Sequence, residues 1–328
     1  MLIMHSDDDK ITEVVVKDGE LVEGTVLRDI GKEQKELKAE QEKRLHDVDK
    51  RVRRLRLAGK FSGFHYKLSD DGMDIILTGV SDNSLLSCSI PEGITVIGDA
   101  CFALARETKA VELPKSIRKL GNRAFQGSGI TYIPLPSGIE ELGDGCFSYC
   151  KYLSGITLPE SLKVLGDECF AGCPRIDGLR VPAGVSSVGK ACFSDMVGLQ
   201  FMTFLAHIKK LPESCFNNCD RMHRLILSDS VVEFGEDCFL HCTVAQISLS
   251  ADYYKLCPYE LPWGVFQKVH FRTVKRIEVD DRVGISLADG AVVYAETEEN
   301  VEILRRAFPM AAVRLRRQRK WKGKAGKR

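Results

Sequence analysis

Cysteine is the residue type whose number and spacing could do chemistry in this chain. The 328-residue sequence contains twelve cysteines, and Cys169 and Cys173 flank Phe170 in the stretch LPESLKVLGDECFAGC. Thiolates bind metal ions and exchange disulfides, so such a pair is a candidate metal or redox site. The densest cluster adds histidine on two consecutive segments and consists of Cys215, Cys219, His223, Cys238, His241 and Cys242. Thiolate and imidazole ligands together suit a tetrahedral zinc ion.

Other kinds of catalytic site find no support in the sequence. Nothing matches a Walker A loop or a dinucleotide glycine fingerprint, and the seven histidines are scattered, without a Ser-His-Asp or Cys-His-Asn arrangement. Asp144, Asp167 and Asp237 stand in turn positions close to glycine, where no catalytic role is needed. We therefore expect no catalytic residue, no cofactor and no enzymatic activity.

The cysteines follow a longer repeat, which a column of phenylalanines marks. These phenylalanines stand 22 or 23 residues apart, at Phe102, Phe125, Phe147, Phe170, Phe193, Phe216 and Phe239. Glycine precedes each of them by four positions except once, where Pro212 stands, and apolar residues fill the positions five and eight before. A unit of this length cannot bury its own apolar side, but stacked copies can, so the sequence predicts a solenoid.

Short strands are predicted near the start of each copy, where two apolar residues alternate ahead of a proline. Val111 and Leu113 precede Pro114, and the same pattern recurs in later copies. Such alternation indicates a strand with one buried face. Proline ends the strand because it has no N–H to donate to a neighbouring strand.

The repeat pattern L-P-x-x-L-x-x-L-G-x-x-C-F-x-x-C-x-x-L-x-x-I-x-L-P resembles the BspA-type leucine-rich repeat, in which Ala-Phe commonly stands where this chain has Cys-Phe. The resemblance covers about residues 88 to 249 in seven copies. It implies an α/β solenoid, a leucine-rich repeat with a parallel β-sheet on the concave face. It also implies a binding or adhesion protein, and many family members are exported surface proteins.

The segments outside the repeat predict flanking α+β caps, because a bare solenoid end exposes a sheet edge and an uncovered core. We expect a strand-like segment at 1-30, a charged helix at 31-59, a β-hairpin cap at 60-87, the seven-turn solenoid at 88-249, an α+β cap at 250-312 and a basic disordered tail at 313-328. In the C-terminal cap, Asp289-Gly290 predicts a hairpin, and Thr297 predicts the start of a helix that Pro309 stops.

Ten of the twelve cysteines fall into two columns, directly before the phenylalanine and three positions after it. Other copies have Ala105, Ala124, Ser128 or Met196 in these columns. Such replacements indicate a requirement for small or medium, mostly apolar side chains, so packing inside the solenoid is the leading interpretation. Zinc binding stays the alternative, and parallel Cβ directions disfavour disulfides between turns.

Side chains that point outward from the strands form a continuous array on which a solenoid binds its partners. Here aromatic residues stand beside arginine, as in interaction hot spots, although scattered apolar residues also occur on ordinary surfaces. The candidates for binding a protein partner are Glu112, Tyr132, Arg180, Phe201, Thr203, Arg224 and Ile226.

Residues 314 to 328 form a basic tail, with nine Lys or Arg and no acidic residue. Such a block is typical of a segment that binds nucleic acid or another polyanion, with an aromatic ring to stack on a base. Nuclear import and improved solubility are the other interpretations. The candidates for polyanion binding are Arg314, Arg316, Arg317, Arg319, Lys320, Trp321 and Lys322.

The N-terminus lacks the basic and apolar regions of a secretory signal, and no run approaches the roughly 18 apolar residues of a membrane span. We therefore expect an intracellular protein, cytoplasmic or nuclear, with reduced thiols. The predicted function is a non-enzymatic scaffold that binds a protein partner through the concave face. The alternatives are a component of a nucleic-acid or ribonucleoprotein assembly tethered by the tail, and a surface adhesin of the BspA-like type.

Overall fold

The computed structural model describes most of the chain between residues 63 and 315 and three strands near the N-terminus. The described positions are 2–7, 10–17, 20–29, 35–36, 38–39, 43, 46, 50, 63–82, 85–231, 233–242, 244–251, 255–256, 266, 268–274, 278–279, 291–295 and 297–315. The chain divides into two compact units, one comprising Met1–Ser62 with Lys67–Ile75 and the other Gly63–Tyr66 with Ile76–Arg328.

The first unit contains a three-stranded antiparallel sheet in the order β1-β2-β3. Its strands are β1 (Leu2–Asp7), β2 (Lys10–Lys17) and β3 (Glu20–Asp29). Seven positions between 35 and 50 are helical and exposed, and the rest of the predicted helix at 31-59 lies outside the described residues. The unit also contains the turn at Asp71-Gly72 that joins the adjacent strands β4 (Phe64–Leu68) and β5 (Ile75–Val80).

The second unit is a parallel-strand β-solenoid of about eight turns with few helices. Its first ladder contains two parallel sheets in line. The first sheet consists of β6 (Ser87–Ser89) and β8 (Ala110–Glu112), and the second of β12 (Gly178–Val181), β14 (Phe201–Phe204), β16 (Arg224–Leu227), β18 (Gln246–Ala251), β20 (Lys268–Val274), β22 (Val292–Ala295) and β23 (Ala312–Leu315). Tyr132 and Gly155 form single parallel bridges after β8. The solenoid exceeds the seven predicted turns because parallel pairing continues past Phe239.

A second ladder of two-residue strands runs along another edge of the solenoid. It continues from β5 through β7 (Val96–Ile97), β9 (Lys119–Leu120), β10 (Glu141–Leu142), β11 (Val164–Leu165) and β13 (Ser187–Val188). Two further parallel pairs join β15 (Lys210–Leu211) to β17 (Glu233–Phe234), and β19 (Lys255–Leu256) to β21 (Glu278–Val279). Along most of the solenoid, each turn is thus hydrogen-bonded to its neighbours along more than one edge.

The segment around each phenylalanine is not a strand, yet it also hydrogen-bonds from turn to turn. The Phe147 amide donates to the Cys169 carbonyl at 2.8 Å, and the Phe170 amide donates to the Cys192 carbonyl at 2.8 Å. Residues two before and two after the phenylalanine have positive φ, as at Glu168 with φ 52°. This backbone shape aligns alternate amides with the carbonyls of the next turn.

Glycine four residues before the phenylalanine makes room for the preceding turn. A Cβ on Gly166 would lie 2.5 Å from both the amide nitrogen and Oδ1 of Asp144. That Oδ1 accepts a hydrogen bond from the Asp167 amide at 2.9 Å, and Asp167 Oδ1 accepts one from the Lys190 amide at 2.7 Å. These aspartates therefore connect successive turns.

The phenylalanine column forms the centre of the core, as the repeat predicts. Each ring is at most 4% exposed. From Phe102 to Phe239, consecutive rings stack with centroids 5.1–6.0 Å apart and interplanar angles of 1–16°. Aromatic pairs at such separations add about 0.5–1.5 kcal/mol beyond the burial of their area. We call this column the phenylalanine spine.

The thiols also lie inside the solenoid, where several of them hydrogen-bond to the backbone. All eleven cysteines among the described residues are buried and unpaired. Cys150 Sγ donates to the Phe125 carbonyl at 3.0 Å, and Cys173 Sγ donates to the Phe147 carbonyl at 3.1 Å. Burial raises the pKa of Cys150 to about 11 and that of Cys219 to about 12. These thiols are therefore protonated packing groups near neutral pH.

Beyond the spine, the first ladder continues through the range predicted as the C-terminal cap. β22 pairs in parallel with both β20 and β23. The predicted hairpin around Asp289-Gly290 is therefore wrong for β22, because parallel strands occupy both of its edges. Parallel strands require a crossover, and the crossover to β23 contains helix α1 (Glu298–Ala307). α1 begins as predicted, with Thr297 Oγ1 accepting a hydrogen bond from the Asn300 amide at 3.3 Å.

We expect Phe170→Ala to lower the free energy of unfolding by about 3–5 kcal/mol, because it opens a cavity in the middle of the spine. Phe201→Ala removes the same side chain from a site that is 55% exposed, and it should change this free energy by less than about 0.5 kcal/mol. Urea unfolding followed by circular dichroism measures both values. Equal losses in the two variants would contradict the spine as the centre of the core.

The raised thiol pKa values predict that alkaline pH destabilises the fold. The contribution of each such thiol is complete below its unfolded pKa of about 8.5, and it is lost as the pH rises through the folded pKa, about 11 for Cys150. The urea midpoint should therefore fall between about pH 8 and about pH 10. In a Cys150→Ser, Cys173→Ser variant, which keeps two hydroxyl donors that do not titrate in this range, the fall should be smaller. Identical falls in the variant and the parent chain would refute this account.

Candidate functional site

The first ladder presents one side of its sheet to solvent, and we call this side the open face. Side chains alternate along each strand, so that Phe201 on β14 is 55% exposed while its neighbour Met202 is buried. All seven residues predicted for partner binding lie on the open face: Glu112, Tyr132, Arg180, Phe201 and Arg224 are exposed, and Thr203 and Ile226 are half-buried. The concave curvature implied by the resemblance stays a prediction.

Four of these seven residues form one cluster on the neighbouring strands β14 and β16. Phe201 is aligned with Arg224, and Thr203 is aligned with Ile226. The His223 ring lies beside them, with its centroid 6.4 Å from that of Phe201. The other three candidates lie on earlier turns and are Glu112, Tyr132 and Arg180.

The two arginines of the open face differ in their charge environment. Arg180 Nη1 pairs with Glu160 Oε1 at 2.5 Å, and Lys190 elsewhere on the solenoid pairs with Glu213 of the next turn at 2.8 Å. No ion pair joins Arg224 to a carboxylate in the described part of the chain. Arg224 therefore presents an uncompensated positive charge beside an exposed aromatic ring.

A cleft of about 170 Å³ extends the open face beyond the predicted residues. It is lined by Arg224, Leu225, Gln246, Ile247, Ser248, Lys268 and Tyr294. Gln246 is aligned with Arg224, and Lys268 with Gln246, which places the two cations two strands or about 10 Å apart. The sequence prediction missed Gln246, Lys268 and Tyr294 because the phenylalanines that define the register end at Phe239. The 22-residue spacing from Arg224 to Gln246 and from Gln246 to Lys268 is the signal that extends the column.

The cysteines and histidines considered for zinc do not converge on one point. Cys219 Sγ donates to the Phe193 carbonyl at 3.1 Å, and Cys242 Sγ donates to the Cys219 carbonyl at 3.3 Å. His223 and His241 are exposed, whereas the thiols are buried. Over the described residues, no group of three or more His, Cys, Asp or Glu could hold a metal ion.

Arg314 is the one predicted tail residue that the structure describes. It is exposed on β23 and aligned with Tyr294 of β22. Arg316, Arg317, Arg319, Lys320, Trp321 and Lys322 lie outside the described residues. The described residues include no helix with the length and apolar character that crossing a bilayer requires.

Comparison with known proteins identifies the repeat. Six copies of the BspA type leucine-rich repeat region match residues 80–200 and 141–261. A leucine-rich repeat protein from Bacteroides ovatus has a similar structure, with a TM-score of 0.53 at 18% identity over 78% of this chain and 76% of that chain. The leucine-rich repeat protein of T. pallidum gives a TM-score of 0.51 at 27% identity over 55% of this chain and 86% of that chain. No curated protein matches the chain.

These similarities agree with the geometry of the solenoid. The likeness to the Bacteroides ovatus protein shows the fold, and the matched repeats cover more than half of the chain. Proteins of this kind are typically non-enzymatic. The repeat suggests an interaction or adhesin role. The chain belongs to the BspA-type leucine-rich repeat family.

Proposed function

We propose that the protein is a non-enzymatic scaffold that binds a protein partner through the open face. The observation that carries this proposal is the cluster on β14 and β16, where exposed Phe201 is aligned with Arg224. Aromatic residues and arginine are enriched among the residues that dominate binding energy at protein interfaces.

The two central residues favour binding for different reasons. Phe201 is 55% exposed, and full burial of a phenylalanine side chain stabilises a complex by about 1.5–3 kcal/mol. Arg224 pairs with a partner carboxylate without first breaking an ion pair, whereas Arg180 would have to leave Glu160. The partner that fits this cluster presents an apolar pocket with a carboxylate beside it.

The backbone under the cluster is already ordered before binding. β14 and β16 are hydrogen-bonded to each other and to β12 and β18 on their outer sides. A preorganised surface loses little backbone entropy on association, which favours affinity. Lys268 and Tyr294 extend the same surface along the cleft.

Phe201→Ala and Arg224→Ala should each reduce retention of the partner at least about tenfold, as expected for residues at the centre of an interface. The measurement is an affinity pull-down with the full chain at low and high salt, with each retained protein quantified by mass spectrometry against the parent chain. Leu240→Ala and Lys190→Ala are the matched controls, because Leu240 is 42% exposed away from the open face and Lys190 lies elsewhere on the solenoid, where it pairs with Glu213. If every retained protein stays bound to both cluster variants, the open face does not bind the partner.

We propose as a second candidate that the basic tail attaches the protein to nucleic acid inside the cell. The nine Lys or Arg among residues 314–328, with no acid between them, favour this function. Each phosphate that a cation neutralises releases counterions, so such binding weakens steeply with salt. Trp321 supplies an aromatic ring to stack on a base.

Truncation after Leu315 keeps β23 and removes eight of the nine basic residues. We expect it to weaken binding of a single-stranded RNA oligonucleotide at least about tenfold. The slope of log affinity against log salt concentration should also become less steep, by about 0.7 for each phosphate contact that is lost. Fluorescence anisotropy at several salt concentrations measures both quantities. Unchanged affinity after truncation would exclude the tail as the nucleic-acid attachment.

A further inference from the structure

A second candidate surface is a groove of about 640 Å³ that includes no residue of the open face. It crosses three consecutive turns beside the segments around Phe102, Phe125 and Phe147. Its exposed apolar walls are Leu104, which is 65% exposed, and Tyr149, which is 51% exposed.

The groove exists because one turn lacks a side chain that its neighbours have. Leu104, Gly127 and Tyr149 occupy the same position, two residues after the phenylalanine, in successive turns. Their φ angles are 58°, 61° and 57°, so all three residues have the same left-handed φ. Gly127 therefore forms the floor between a leucine wall and a tyrosine wall.

Positive charge surrounds this apolar floor. Arg106, Lys109 and Lys151 line the groove, with Glu107 as its one carboxylate. Lys109 Nζ lies 5.2 Å from the centroid of the Tyr152 ring, and the Arg175 guanidinium lies 5.4 Å from the same centroid.

These four cations are not neutralised within the solenoid. Over the described residues, no ion pair joins any of them to a carboxylate, whereas Lys119 pairs with Glu141 at 2.7 Å and Lys209 pairs with Glu233 at 2.8 Å. Cations close to a low-dielectric wall attract an anion more strongly than cations in open water do. The groove thus combines exposed apolar walls with a net positive charge.

We propose that this groove binds an acidic peptide segment of a partner protein. Apolar side chains of the peptide lie over Gly127 between Leu104 and Tyr149, and its carboxylates pair with Arg106 and Lys151 at the rim. The mixture of walls and charges favours a peptide over other polyanions. A nucleic acid or a sulfated glycan offers rows of anions but no aliphatic side chain to cover the leucine wall.

Gly127→Tyr tests the groove, because it places a bulky side chain on the floor at a φ of 61°, close to the 57° that Tyr149 adopts. A Cβ on Gly127 would meet the flexible Cδ2 of Leu104 at 3.0 Å, which can move aside. His241→Tyr is the matched control, since His241 is exposed at the same position of its own turn, with φ 56°. Thermal unfolding of both variants checks that the fold is intact.

Random dodecapeptides displayed on phage are panned against the full-length parent chain, and the selected peptides are measured by fluorescence anisotropy. We expect peptides rich in Asp or Glu with interspersed apolar residues. Their affinity should be unchanged in His241→Tyr and fall at least about tenfold in Gly127→Tyr, and also in Arg106→Glu with Lys151→Glu. The basic tail is present in every variant, so it cannot produce this difference.

Two results would overturn the proposal. One is selection of peptides without acidic enrichment, or of acidic peptides that bind Gly127→Tyr as well as they bind the parent chain. The other comes from parallel measurements with a sulfated oligosaccharide and a single-stranded RNA oligonucleotide. If the Gly127→Tyr change abolishes binding of one of these and leaves the selected peptides bound, the groove has a different occupant.

Discussion

The height of one turn is the constraint on which the rest of the solenoid depends. Neighbouring parallel strands lie about 4.8 Å apart, so every side chain of one turn meets its counterpart in the next at close to that distance. The rings of the spine accommodate it by stacking at 5.1–6.0 Å. The copy length is therefore nearly constant, since a longer or shorter copy would shift a ring out of the stack. The same spacing explains Gly166, because the Asp144 carboxylate of the turn before already fills the space of a Cβ.

Because the turns stack, residues in buried columns are constrained by packing, whereas residues in exposed columns are free to vary. A buried column must fit the turn above and the turn below, and this restricts it to phenylalanine, aliphatic residues, methionine or a small group such as a thiol or the Ser128 hydroxyl. An exposed column is not restricted in this way, so a residue that differs from its counterparts in the other turns is a candidate for binding. Two examples are Arg224, which has no carboxylate partner among the residues that the structure describes although Arg180 pairs with Glu160, and Gly127, which has no side chain although Leu104 and Tyr149 stand at the same position of the adjacent turns. Both proposed surfaces are built from them.

What could be predicted from the sequence follows the same division. The spine and the outward position of Phe201 were predictable because each is fixed by periodicity, and the start of α1 because Thr297 is a local signal. The continuation of the sheet through β20, β22 and β23 was not, because no phenylalanine marks those turns and their register shows only in the paired strands. The groove was missed because positive φ occurs at residues as different as Leu104, Glu168 and His241. Residue type therefore does not reveal which positions share this backbone conformation.

The rigid backbone under the open face and the groove affects which kind of partner suits each surface. Along most of the solenoid, hydrogen bonds hold each turn to the next on the strand ladders and at the phenylalanine segment. The side chains of both surfaces are thus attached to a backbone that has already lost its conformational freedom. Most of the remaining entropy cost of binding falls on the partner, and a flexible peptide pays more of it than a folded domain. The open face, with its aromatic and arginine cluster, therefore suits a folded partner, and the groove suits a short segment whose charge compensates for the cost of ordering.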